Sequence, residues 1–120
     1  MQVSDVGSLR DATLSAGNLG TLARSAAWQA YGELVSEVHR IRGYGDFYHY
    51  HLLAAGKIDV VVESDVNILD IAALQVIVEE AGGRFTDLCG RAVTRETTSV
   101  LATNGHLHDQ VLGRLKAFSG

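Results

Sequence analysis

Apolar and polar positions along this chain follow two periods. Ala12-Thr13-Leu14-Ser15 alternates with the period of two of a short strand, closed by Gly17. Asn18 suits an N-cap, and from there Leu19, Leu22, Ala23, Ala26, Ala27, Ala30, Tyr31, Leu34, Val35 and Val38 recur at spacings of three and four. That is one face of an amphipathic helix lying on a sheet or on another helix. Gly32 inside it costs roughly 1 kcal/mol against alanine. Val38 to Tyr44, VHRIRGY, reads as a short mixed strand. Gly43 and Gly45 bracket a turn, Asp46 caps a helix from Phe47 to Ala55, and Gly56 ends it. Ile58 to Val62 is a strand covered on both faces, because it is nearly all apolar. Asn67 to Ala81 is a helix whose apolar residues surround most of its circumference, which predicts a buried helix closed by Gly82-Gly83. Arg84-Phe85-Thr86 and Ser99 to Ala102 are further strands. A last helix begins near Asn104-Gly105 and carries Leu107, Val111, Leu112, Leu115 and Phe118 along one face.

Strands alternating with helices in this order predict an α/β fold: a layered domain with a mixed, largely parallel sheet flanked by helices. Met1 to Asp11 is polar, with Val3, Val6 and Leu9 at a spacing of three. It is either a short helical turn or a frayed end. No internal repeat, low-complexity stretch or linker interrupts the pattern.

Composition narrows the partners. A chain of 120 residues with 47% hydrophobic content is one domain able to bury a core. A net charge of −4 argues against nucleic acid as a partner. No apolar run approaches the roughly 20 residues of a membrane span, and the N-terminus lacks the pattern of a signal peptide. One cysteine, Cys89, excludes an internal disulfide. The expectation is a soluble cytoplasmic protein. Thirteen glycines and no proline put the turns on Gly, Asn and Asp.

Candidate chemistry gathers where the apolar strand meets the central helix. Glu63, Asp65 and Asp70 follow Ile58 to Val62, at the carboxyl end of a strand where α/β proteins build sites. A carboxylate in the first turn of a helix is stabilised by the macrodipole and remains an ionised oxygen ligand suited to Mg²⁺. Capping acids are common, and on spacing alone capping outweighs ligation. Gly43-x-Gly45-Asp46 before a helix could cradle a phosphate with Arg42 beside it, although a lone GxG more often means a turn with a capping Asp. His49 and His51 point about 200° apart on a helix and fit packing or surface roles rather than a shared metal. The same holds for His106 and His108, and His39 stands alone. Cys89 has no basic neighbour in sequence to activate it.

The run RGYGDFYHYHLLAAGKIDVVVESDVNILDIAALQVIVEEAGG, residues 42 to 83, resembles the carboxyl-terminal half of the inositol monophosphatase family. Its Asp-x-Ala-Ala…Glu-Ala-Gly-Gly signature carries the resemblance. The Arg-x-Tyr-Gly-Asp-Phe run and Ala-Thr-Asn-Gly-His-Leu-His-Asp, residues 102 to 109, look most like the histidinol-phosphate phosphatase branch. The resemblance implies a metal-dependent phosphomonoesterase. Asp70 would be a ligand of catalytic Mg²⁺ and Glu63 the acid that binds the substrate's hydroxyl or amine. Gly45, Asp46 and Phe47 would form the turn that contacts substrate, and Arg42 the basic residue before it. Leu69 stands where the family usually has Trp. Asp46 replaces the threonine of inositol phosphatases, which suits a cationic amine such as histidinol's. The Asp-Pro-x-Asp-Gly-Thr motif of the family's first half is absent, and with it most metal ligands and the water-activating residues. The resemblance therefore implies the carboxyl-terminal domain of a two-domain phosphatase, with no catalytic residue in this half and a missing amino-terminal domain as its partner. The substrate would be a small phosphate monoester, most like histidinol phosphate in histidine biosynthesis. Inositol 1-phosphate or another sugar phosphate, or a truncated non-catalytic relic, are the alternatives. Family members are often dimers, which leaves a homodimer open.

Overall fold

The structure is a computed structural model that describes residues 2–17, 23–24, 28–43, 48–64, 66 and 68–119; the side chains of 68–70 and 116–119 are not among the described atoms. Five strands, β1 (Thr13–Gly17), β2 (Arg40–Arg42), β3 (Val60–Ser64), β4 (Arg84–Thr86) and β5 (Ser99–Thr103), form one sheet in the order β2-β1-β3-β5-β4. β1 runs parallel to both β2 and β3, while β5 is antiparallel to β3 and β4. The sheet is mixed as expected, and its parallel character is confined to one half. Among the described residues four helices flank it: α1 (Trp28–Glu37), α2 (Tyr48–Ala54), α3 (Ile68–Glu80) and α4 (His108–Ser119).

The period of two sorts the core into two layers. Val60 and Val62 of β3 pack with Leu14, Ala16 and Leu101 against Ala30, Leu34, Val111 and Leu115 of α1 and α4. Val61, on the opposite face, packs with Val100 and Ala102 against Tyr50, Leu53, Ile71, Leu74 and Val78 of α2 and α3. β3 is buried along its whole length because both faces are covered. β2 lies at an edge and exposes Arg40 and Arg42, whose charges blunt the edge against further pairing.

α2 and α3 end in the same motif. At α3, Gly82 takes φ +98°, its N–H reaches Glu79 O at 3.0 Å, and Gly83 N–H reaches Val78 O at 2.9 Å. These are the paired bonds of a Schellman cap. Gly56 and Lys57 close α2 on Leu53 O and Leu52 O in the same way, at 3.0 and 2.8 Å.

Two expectations are corrected and one open alternative is decided. α3 is not buried all round: Ile71, Leu74 and Val78 face the sheet, while Ala72, Ala73 and Val76 are exposed. A helix in an outer layer has only one face against the sheet. Of the two readings of Met1 to Asp11, a short helical turn or a frayed end, the described residues 2–11 bear out the turn. Val3 N–H donates to Ala81 O at 3.0 Å, and Asn104 Nδ2 to Val6 O at 2.7 Å. The Ser4 hydroxyl donates to Asp59, and Leu9–Asp11 forms a 3-10 turn. Glu63 lies within β3 rather than after it. The Asn18 cap and the first apolar positions of the long helix lie outside the described residues.

His108 is fully buried between two threonines, with Thr103 Oγ1 at 3.0 Å from Nδ1 and Thr86 Oγ1 at 2.9 Å from Nε2. Burial, reinforced by the charge of Arg84 and opposed by Asp109, lowers its pKa from 6.5 to about 4. The folded state then binds fewer protons than the unfolded chain between those values. Stability is full above pH 6.5 and falls as pH drops through about 4, by up to about 3 kcal/mol. Urea unfolding of wild type and His108→Gln at pH 7 and pH 4.5 checks this. The wild type should lose more stability between the two pH values than the variant, and equal losses would contradict the assignment.

Candidate functional site

β1, β2 and β3 are parallel, so their carboxyl ends share one edge of the sheet, the position where open α/β sheets bind ligands. Glu63 is the penultimate residue of β3. Two residues beyond Val61, it points to the same face and so toward the layer that holds α2 and α3. It is only 7% exposed. A carboxylate this buried needs donors, and α2 supplies them. The Tyr50 hydroxyl donates to Glu63 Oε1, and His49 Nε2 lies 3.4 Å from the same oxygen. On the other side of the imidazole, Ser15 Oγ of β1 is 3.0 Å from Nδ1.

With the carboxylate as acceptor, the tautomer that suits both contacts has Nε2–H donating to Glu63 and Nδ1 accepting from the Ser15 hydroxyl. Tyr50 joins core and site: its ring lies 5.7 Å from Phe85 and edge-on to His49 at 4.5 Å, while its hydroxyl faces the acid. Burial first, then the neighbouring charge of Glu63 and the hydrogen bond to it, push the tyrosine pKa far above its ordinary value, so the hydroxyl stays a donor. Gly17, paired with Glu63 across the parallel ladder, completes the arrangement. A Cβ at Gly17 would sit 2.5 Å from Glu63 Oε2, so the glycine leaves room for the carboxylate to lie against β1.

The other candidates divide. Arg42 ends β2, exposed, with its guanidinium donating to Ile41 O at 2.8 Å. Gly45, Asp46 and Phe47 lie outside the described residues, as does Asp65. Asp70 falls in the first turn of α3 as expected, but its side chain is outside the description. Among the described residues no three His, Cys, Asp or Glu side chains converge as a metal would require. Cys89 is exposed in a turn built on Asp87, whose Oδ1 accepts the N–H groups of Cys89 and Arg91 at 2.8 Å each.

The packing role expected of His49 is borne out, since the fold buries it completely; that it packs beside Glu63 is what spacing did not show. Ser15, Gly17 and Tyr50 were not singled out for the site either. Their partners lie 13 to 46 residues away along the chain, so no local motif announces them.

The fold and this acidic edge belong to a recognised class. The sequence profile of the inositol monophosphatase family matches residues 2–118, and the chain belongs to that family. Among curated proteins it is 44% identical over 117 residues to the histidinol-phosphatase of Mycobacterium tuberculosis, covering 98% of this chain and 45% of that protein. It is 38% identical over 115 residues to the histidinol-phosphatase of Streptomyces coelicolor, covering 96% and 43%. Among solved structures, an inositol monophosphatase from Zymomonas mobilis superposes with a TM-score of 0.87 at 27% identity, over 97% of this chain and 46% of that one. The chain thus spans about half the length of the relatives it matches.

Proposed function

We propose that this chain is the carboxyl-terminal, substrate-recognising half of a Mg²⁺-dependent phosphomonoesterase acting on histidinol phosphate, a reaction of histidine biosynthesis. One observation carries the choice of substrate: 44% identity along 98% of the chain to a protein named histidinol-phosphatase. The site chemistry agrees with it. Glu63 presents a buried carboxylate at the carboxyl edge of the sheet, where an ammonium or hydroxyl group would find a fixed acceptor. By the family resemblance Asp46, in the Gly45–Phe47 turn, would add a second acid that suits a cationic amine better than an inositol ring.

Asp70 would provide one oxygen ligand, with the remaining ligands and the water-activating groups coming from an amino-terminal domain. Bound Mg²⁺ neutralises phosphate charge and lowers the pKa of coordinated water. The residues of this half bind and orient. Glu63 would hold the end of the substrate remote from phosphate, and Arg42 and the Gly45–Phe47 turn would border it.

The test is a chimera in which residues 2–118 replace the matching segment of the M. tuberculosis protein. Phosphate release should favour histidinol phosphate over inositol 1-phosphate by at least about 10-fold in kcat/KM. Asp46→Thr should narrow that ratio. Preference for inositol 1-phosphate would overturn the substrate assignment, and an unchanged ratio in Asp46→Thr would remove the role given to Asp46. The 120-residue chain alone should bind Mg²⁺ weakly and release almost no phosphate. Robust Mg²⁺-dependent turnover at the correct intact mass would refute the half-site assignment.

A further inference from the structure

We infer that His49 and Tyr50 are positioning residues that lock the carboxylate of Glu63 in the one orientation in which it meets substrate. The inference rests on the assignment of Glu63 as the substrate contact. Glutamate has three rotatable side-chain bonds, and an acid at the mouth of a site would ordinarily sample several rotamers. Here two elements restrict it at once. From α2, Tyr50 and His49 approach the same oxygen, Oε1. From β1, Ser15 Oγ lies 3.0 Å from the far nitrogen of His49 and holds the ring in place. Also from β1, Gly17 admits the carboxylate to a space that a Cβ would fill.

The arrangement is directional. Both α2 donors lie on Oε1, and Oε2 lies against the end of β1. A substrate amine or hydroxyl therefore meets an acceptor whose geometry is set before binding, which reduces the ordering cost paid on association. Neither His49 nor Tyr50 needs to touch substrate, because they act through Glu63.

The tautomer is tested on the 120-residue chain by ¹⁵N spectra of the imidazole. His49 should be the Nε2–H form, and an Nδ1–H form with a bare Nε2 facing Glu63 would overturn the inference. Function is tested in the chimera by steady-state kinetics of Tyr50→Phe, His49→Leu, His49→Gln and Glu63→Gln, each checked for folding by circular dichroism. Tyr50→Phe and His49→Leu should raise KM for histidinol phosphate by about 10-fold with kcat little changed. His49→Gln, whose amide can still donate to Glu63 and accept from Ser15, should recover to within about 3-fold of wild type. A purely structural role would lower the folded fraction without this split or this rescue. If Glu63→Gln raises KM while folded Tyr50→Phe and His49→Leu do not, the positioning role fails and the Glu63 assignment stands. If Glu63→Gln itself leaves KM unchanged, the substrate assignment of Glu63 fails and the inference falls with it.

Discussion

Gly83→Ala is expected to destabilise the protein by about 3 kcal/mol or more, at the upper end of what overpacking costs. The added Cβ would lie 2.5 Å from Thr103 O, 2.8 Å from Val78 Cγ1 and 3.2 Å from Val78 O. Two of those three atoms are backbone, and neither can step aside alone. Val78 O already accepts the Gly83 N–H that caps α3, and Thr103 belongs to β5, paired with β4 directly after the glycine. Relief would need α3 to move off the sheet and would disturb the packing of Val78 and Leu74. Guanidinium unfolding should show a lower midpoint at an unchanged slope, with Tm down by roughly 10 °C. A variant within about 0.5 kcal/mol of wild type would mean that the junction of α3 and β4 is looser than described.

Gly17→Ala should do the reverse, with a small effect on stability and a large one on function. Its Cβ would lie 2.5 Å from Glu63 Oε2, 3.1 Å from Cδ and 3.2 Å from Cγ. All three are side-chain atoms at the free end of Glu63, so the glutamate swings away and the backbone stays. The cost in stability is about 1–2 kcal/mol, for the hydrogen bonds that Tyr50 and His49 lose. In the role proposed for Glu63 the displaced acid would no longer meet substrate, and KM for histidinol phosphate in the chimera should rise by about 10-fold or more. Unchanged KM together with unchanged stability would show that Glu63 does not rest against Gly17.

These two glycines also mark how far the sequence could be read. The Gly82-Gly83 stop was legible because it follows a long apolar helix, and the structure supplies both bonds of the cap. The requirement for Gly83 in particular was not legible, because Thr103 lies 20 residues away and approaches only once β4 and β5 pair. Gly17 was read as a strand end. Its role as the floor beneath Glu63 follows from the parallel register of β1 and β3, which no local pattern encodes. Likewise, the apolar circumference of α3 predicted burial on all sides, and the outer layer left Ala72, Ala73 and Val76 exposed.

Local periodicity was enough to determine the order and type of the elements, because the period of two and the spacing of three and four report directly on which side of a strand or helix is apolar. It also drew attention to Glu63 at the end of an apolar strand. The family signature in residues 42 to 83 then gave that position a meaning that spacing could not. Tertiary structure alone decided which side chains hold Glu63. Gly17, His49 and Tyr50, with Ser15 behind His49, come from β1 and α2 and gather at the acid only because α2 packs over the parallel half of the sheet. A buried carboxylate takes whatever donors the packing delivers, and that delivery depends on contacts between elements distant in the chain.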